Sequence, residues 1–328
     1  MTKSLRWVVG LARVAARALL AVLTMVGLSG PSAVTAQDRA ASPADSPVVL
    51  TDDIGLRVSL PHAPRRIISL APSATEMLFA AGLGNRVVAT VEYSDEPPAA
   101  KQVPRIGDVT AVDIERLVAI HPDLVVVWPG GGNPAQIEKI ARLGIPVYRQ
   151  QVNRLADLPA SLRRLGALAS DTSVADRAAR NLEEMLARLA HEYGGGKHPT
   201  VLLEVWNRPI YTVGGTHLMS DALTLCGGRN VFGDLKVLGP VVSTEAVIAR
   251  NPDIIVAAAP PGEGKSWIDE WKRFGGLNAV RSGRLISFED QRFVRLGPSV
   301  VWATEGLCKA LAAVEARPQP AGSPQTDP

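Results

Sequence analysis

The chain has 328 residues, 46% hydrophobic and 20% charged, a globular composition with enough length for two ordinary domains. Its formal net charge of +3 comes from the first 36 residues, which hold Lys3, Arg6, Arg13 and Arg17 and no acidic residue. Without those four, 31 basic residues face 32 acidic ones, and a balance of −1 argues against a nucleic-acid partner.

Residues 1–36 read as a secretory signal peptide. A basic start leads into the apolar run "ALLAVLTMVGLSG", and Val34-Thr35-Ala36 precedes Gln37, which puts cleavage near Ala36 and the mature chain in the periplasm. The apolar part is too short for a retained anchor, and no cysteine stands near the cleavage point to carry a lipid. Residues 37–63 form an N-terminal tail and lead-in, of which 37–47 are small, polar and expected to be disordered.

From residue 64 short apolar runs alternate with helical patterns. "RRIISLAP", "RVVATVEY", "DLVVVWP" and "IPVYRQQ" read as strands, separated by the helices "SATEMLFAAGLG", "AVDIERLVAIHP" and "PAQIEKIARLG". This rhythm predicts a parallel sheet covered on both faces, an N-terminal lobe over 64–154. Over 155–196 a helical connector follows. Val174, Ala178, Leu182, Met185, Leu186 and Leu189 recur at helical spacing, Asp171 or Ser173 can cap the start, and Gly194-Gly195-Gly196 ends it. A C-terminal lobe over 197–315 repeats the strand and helix alternation in "TVLLEVW", "HLMSDALTLCGG", "RNVF", "STEAVIARNP", "DIIVAAAP", "WIDEWKRFGGLNAV" and "GRLISF". Residues 316–328 are a proline-rich tail expected to be disordered. The fold class is therefore α/β: two Rossmann-like lobes with parallel sheets, joined by one long helical strut, with the ligand cleft between the lobes at the carboxyl ends of the strands.

One segment occurs twice. "VDIERLVAIHPDLVVVWP" and "VSTEAVIARNPDIIVAAAP" place Glu115 and Glu245 130 residues apart, each followed by Pro-Asp with the aspartate eight residues on. A helix amino end favours a carboxylate; equally, one exposed acid per lobe suits two basic sites on a two-fold partner, and the recurrence favours that second reading.

Four aromatic residues stand at strand ends. Tyr93 and Trp128 end strands of the first lobe, and Trp206 and Tyr211, in "VWNRPIYTVGG", are read as their counterparts in the second. A single such residue is ordinary packing, but four in a chain only 5% aromatic point to a large, flat, mostly apolar ligand. The glycines in "VVVWPGGGN" let the backbone turn away beside it. In "EDQRFVRLGPS", Arg292, Phe293 and Arg295 follow another strand, where the arginines are either solvated or available to a ligand's amides or carboxylates.

Signs of catalysis are missing. "GEGKS" lacks the first glycine of a phosphate loop, that position being Ala259, and neither a Gly-x-Ser-x-Gly elbow nor a His-Glu-x-x-His pair occurs. The chain reads as no enzyme and needs no cofactor. The five histidines lack ligand spacing, so no metal site is expected. Cys226 and Cys308 are free to pair in an oxidising compartment or to stay buried as thiols.

The segments "RIISLAPSATEMLFAAG", "YSDEPP", "ERLVAIHPDLVVVW", "GGN", "TLCGGRNVF", "VSTEAVIARNPD" and "LCKAL" resemble the periplasmic substrate-binding proteins of ATP-driven importers for cobalamin, ferric siderophores and haem. The resemblance covers about residues 64–312 and is closest to the cobalamin-binding members. It implies that Glu115 and Glu245 dock onto arginines of an inner-membrane permease dimer with its ATPase subunits. It also implies that Cys226 and Cys308 form a disulfide and that Tyr93 and Trp128 line a corrin site, in a chain acting as a monomer. Tryptophans expected in "RIGDVTAVD" and "KVLGPVVS" are absent, so contacts at those places do not carry over. The leading expectation is a corrinoid binder with cobalamin as transported ligand. Within the class the alternative is a ferric siderophore or haem, the latter with Tyr93 or Tyr211 as axial ligand. Outside it stand a secreted α/β hydrolase and a signalling partner presenting its ligand to a receptor.

Overall fold

The computed structural model describes residues 46–169, 171–195 and 198–317. The expected signal peptide and residues 318–328 of the expected tail lie outside them. Where the sequence reading has only a lead-in, the structure adds an antiparallel hairpin of β1 (Val48–Thr51) and β2 (Arg57–Leu60), with Val48 opposite Leu60. Its turn is held by two aspartates. Asp52 accepts the Leu56 and Arg149 amides, and Asp53 accepts bonds from Tyr148 Oη, Ser161 Oγ and the Arg164 guanidinium. These long-range bonds to buried carboxylates tie a hairpin of four-residue strands that could not stand alone to the body of the protein.

The first lobe runs β3 (Ile67–Ser69), α1 (Pro72–Ala80), β4 (Val87–Ala89), α2 (Ile114–Ala119), β5 (Leu124–Val127), α3 (Pro134–Arg142) and β6 (Val147–Arg149). Its sheet has the order β4-β3-β5-β6, all parallel. Two helices follow, α4 (Leu158–Gly166) and α5 (Ser173–Tyr193). The second lobe opens with β7 (Thr200–Glu204), β8 (Trp206–Asn207), β9 (Ile210–Tyr211), α6 (Leu218–Leu225), β10 (Arg229–Asn230), β11 (Val241–Val242), α7 (Thr244–Arg250) and β12 (Ile254–Ala258). It closes with α8 (Gly264–Trp271), α9 (Asn278–Arg281), β13 (Leu285–Phe288), α10 (Gln291–Arg295) and α11 (Val300–Glu315). Its main sheet, β10-β7-β12-β13, repeats the order of the first, while β8, β9 and β11 form a separate small antiparallel sheet.

Side chains alternate across each sheet, as the pleat requires. Leu124 and Val126 of β5 join one large core, Val125 and Val127 a second. In β12, Ile254, Val256 and Ala258 enter that same large core, and Ile255 and Ala257 a third. The inner faces of both sheets thus share one continuous core with α4, α5, α6 and α11, whereas each outer face keeps its own. A shared core leaves the lobes little freedom to move apart without exposing apolar surface.

The connector carries the expected long helix, with the shorter α4 packed beside it. Its long member, α5, spans 21 residues or about 31 Å, and buries Ala175, Ala179, Leu182, Leu186 and Leu189. The spacing reading put Val174 and Ala178 on that face; the structure turns the first two turns by one residue. α4 packs against α5 so closely that a Cβ on Gly166 would lie 2.3 Å from the Ala175 Cβ. Arg163 bridges the pair by a two-pronged bond to Glu183 of 2.6 and 3.0 Å. A disulfide between Cys226 and Cys308 joins the end of α6 to α11. No helix of the described residues is long and apolar enough to cross a membrane.

Candidate functional site: the cleft and the paired glutamates

A cavity of about 310 Å³ opens between the lobes, lined from the first by Ser73, Tyr93 and Trp128 and from the second by Gln291, Arg295 and Leu296. Tyr93 has φ +63° and Leu296 φ +61°, so one residue from each lobe takes a left-handed backbone, which costs a non-glycine residue about 1–2 kcal/mol. In that conformation the Tyr93 ring stands out 77% exposed. It belongs to a turn beyond β4, because the expected strand "RVVATVEY" stops at Ala89.

Trp128 directly follows β5 and lies half-buried. The three glycines after it have a different task from the one expected. A Cβ on Gly131 would lie 2.1 Å from the indole Cζ3, and one on Gly130 2.8 Å from Nε1, so the turn is glycine because the ring occupies the space beneath it. Asn133 then accepts the Ala135 and Gln136 amides and, with Pro134 beside it, starts α3. Ring, turn and helix cap form one local unit.

Outside the cavity lining, Glu76 of α1 accepts hydrogen bonds from the Ser299 amide and, at 2.9 Å, from Ser299 Oγ, clasping the start of α11 across the lobes. Burial raises its carboxyl above the usual range, against the lowering effect of Ser299 and Arg295. Arg295 reaches Glu96 of the first lobe at 3.7 Å. Arg292 is bound instead to Asp290, at 2.5 Å, and lies outside the cavity lining. Phe293 is fully buried against Phe288.

Trp206 and Tyr211 also lie outside that lining. They are cross-strand partners on the small antiparallel sheet, 48% and 38% exposed, and Trp206 packs edge-on against Trp267 with centroids 6.0 Å apart. Their expected equivalence to Tyr93 and Trp128 does not hold in the topology. They follow β7, whose counterpart is β3, whereas Trp128 follows β5, whose counterpart is β12.

Glu115 and Glu245 are both exposed and both second residues of short helices. Asp113 caps α2 through the Arg116 amide and Ser243 caps α7 through the Ala246 amide, the same arrangement twice. The aspartates of the repeated motif have structural work. Asp123 accepts the Arg65 and Arg66 amides at 2.8 Å each, and Asp253 accepts the Thr200 amide and hydroxyl at 2.9 and 2.7 Å, in both lobes fixing the start of the central strand. Neither glutamate enters an ion pair among the described residues, although hydrogen bonds with its own amide and with the Ser243 side chain hold the Glu245 carboxyl below its usual value. Val118 and Ile248, three residues beyond each, are exposed as well, at 40% and 43%.

A vitamin B12-binding protein of Photorhabdus laumondii is 32% identical over 253 residues, 77% of this chain and 90% of its own length. One from Pectobacterium carotovorum is 33% identical over 254 residues, 76% of this chain and 90% of the relative. Among solved structures, the periplasmic vitamin B12 binding protein of Vibrio cholerae superposes with a TM-score of 0.72 at 30% identity, covering 78% of this chain and 99% of that one. A periplasmic haem-binding protein of Roseiflexus, 24% identical with a TM-score of 0.64 over 76% of this chain and 98% of that one, shares the fold. A family model described as periplasmic binding protein matches residues 67–291, and the chain belongs to that family.

Proposed function

We propose that the chain is exported through residues 1–36, captures a corrinoid between its lobes and presents it to an ATP-driven permease of the inner membrane. The observation that carries the cargo is the cavity in which Tyr93 and Trp128 meet Arg295: two aromatic surfaces and a cation suit a flat ring with polar substituents. The similarity to vitamin B12-binding proteins supports the same choice. At about 310 Å³ the cavity is at the small end of those that enclose a drug-sized ligand. A corrinoid is larger, and the shared core holds the lobes together, so it binds with much of its periphery outside the cavity. Trp206 and Tyr211, exposed on the small sheet, are assigned to that periphery; Arg292, held by Asp290, is assigned a contact with ligand amides.

Presentation rests on Glu115 and Glu245, exposed, unpaired and equivalently placed, facing two cations of a two-fold permease. The chain binds and delivers, and the permease's ATPase supplies the energy.

Calorimetric titration of residues 37–328 with cyanocobalamin, beside a ferric siderophore and haemin, tests the cargo. Saturable one-to-one cobalamin binding, weakened at least ten-fold in Trp128→Ala, is expected. Binding of an iron ligand alone transfers the site to an anionic chelate, which Arg295 also suits. Glu115→Ala with Glu245→Ala is expected to abolish capture by permease-containing vesicles while leaving the titration unchanged; capture that persists refutes the docking role. Protein sequencing of the exported chain, beginning near Gln37, checks the leader.

A further inference from the structure

A second cavity, of about 450 Å³, opens in the second lobe among the β8–β9 turn, the start of α7 and the end of α8, lined by Glu245 and by Glu204, the last residue of β7. Glu204 is only 2% exposed. Its Oε2 accepts the Trp271 indole N–H at 2.9 Å, and among the described residues its Oε1 accepts no hydrogen bond. The residue is buried, yet Oε1 is not among the buried side-chain oxygens without a partner, a set that among the described residues holds Ser94 Oγ alone, so it is the cavity that gives this oxygen access to an occupant.

The first lobe shows what the fold itself requires at this place. Ile67 of β3 pairs with Leu124, and Val201 of β7 with Ile254, Leu124 and Ile254 each following the repeated Pro-Asp. Counting along the strands puts Leu70 at the position of Glu204, and the 130-residue repeat puts Val112 at that of Val242. Leu70 and Val112 line a crevice of about 10 Å³ closed by Ile137 and Ile140 of α3. One lobe fills the site with apolar side chains; the other leaves it open and sets a carboxylate in the floor.

The remaining wall fits a cation. Trp271, packed against Phe274, contributes aromatic lining beside the carboxylate. Of the other charged groups facing the cavity, Glu270 of α8 is paired with Arg208 of the β8–β9 turn at 2.7 Å, and Arg273 lies over the Phe274 ring at 4.8 Å. Those pairs leave Glu204 and Glu245 as the carboxylates without a cation. We propose that this cavity is a socket for a cationic side chain, guanidinium or ammonium, of the partner that docks at Glu245, with Glu204 as its acceptor at the floor. The proposal rests on the docking role of Glu245 and adds to it an insertion that only the second lobe can receive. Burial holds the Glu204 carboxyl up at about 7, so the socket accepts a cation in mildly alkaline solution and loses it on acidification.

Methylguanidinium is the probe, titrated into residues 37–328 and followed at the Trp271 indole N–H resonance, assigned with Trp271→Phe. A saturable shift is expected at pH 8.5, weaker at least ten-fold at pH 5.5 and lost in Glu204→Gln. The comparison of pH values needs no substitution and stands even where that variant folds poorly. Absence of a saturable shift at pH 8.5 overturns the proposal, as does a pH dependence that survives in Glu204→Gln. Capture by permease-containing vesicles separates the two readings. Capture lost in Glu115→Ala with Glu245→Ala but unchanged in Glu204→Gln overturns the socket alone. Probe binding together with capture indifferent to all three glutamates overturns the partner as occupant.

Discussion

Replacing Glu204 by glutamine is expected to stabilise the protein, by an amount that depends on pH. The buried carboxyl titrates at about 7 in the folded chain against an ordinary value of 4.5. Below pH 4.5 the group is protonated folded and unfolded, and costs nothing. Between 4.5 and 7 the folded chain keeps a proton that the unfolded chain releases, so stability falls as pH rises; above 7 the whole penalty applies, about 3 kcal/mol. His217 acts in the opposite sense. Burial lowers it to about 4 from 6.5, and its Nδ1 already accepts the Met219 amide at the start of α6, so its contribution is lost as pH falls from 6.5 to 4. In the wild-type chain the two slopes oppose each other across pH 4.5–6.5 and nearly cancel. Glu204→Gln leaves the His217 slope uncovered. Urea unfolding at pH 4, 5.5 and 8 under non-reducing conditions measures this: the variant gains about 3 kcal/mol at pH 8 and under about 1 at pH 4. A gap of the same size at both ends refutes the assignment of the raised titration to Glu204.

Opening the 82-residue loop between Cys226 and Cys308 with the double serine variant should cost about 4.5 kcal/mol by loop entropy, read from the urea midpoint; a loss under about 1 refutes that account. Gly131→Ala drives a Cβ into the Trp128 ring, costing about 1–3 kcal/mol, and it should shift tryptophan emission and weaken cleft binding as Trp128→Ala does. Wild-type affinity in that variant shows that the turn does not hold the ring. Arg295→Gln should weaken an anionic iron chelate or haem at least ten-fold and cobalamin little, as parallel calorimetric titrations will show; an equal loss for all refutes a charge-selective role.

The parallel lobes were legible because their strands are buried on both faces: "LVVV" and "IIVAA" have no polar position to mistake, and helical patterns separate them. The paired glutamates were legible because they recur. Other features were not. The 48–60 hairpin has four-residue strands and owes its place to Asp52 and Asp53 bonding residues roughly 100 positions away, although "DDIG" is a turn signal in its own right. The small sheet breaks the strand-helix alternation, which is why Trp206 and Tyr211 were set beside the wrong strands. Glu204 was passed over inside "TVLLEVW", yet one carboxylate in a strand buried on both faces is a signal, since nothing in a core asks for it. The purpose of Gly130 and Gly131 depends on where an indole folds back, and composition is silent on that.

The repeated sequence sorts its own residues. Asp123 and Asp253 recur because each lobe must anchor its central strand. Glu115 and Glu245 recur with no such duty, which is what a two-fold partner would preserve. Leu70 and Glu204 occupy one position in the two lobes and have diverged, one closing the space and the other charging it. A permease with exact two-fold symmetry offers the same cationic side chains to both lobes. Both can meet a surface glutamate, but only the second lobe has room to take one in. If the proposed docking holds, the complex would be symmetric in its outer contacts and asymmetric in depth, with one copy of the partner's cation buried at Glu204 and its twin in solvent at the apolar crevice of Leu70.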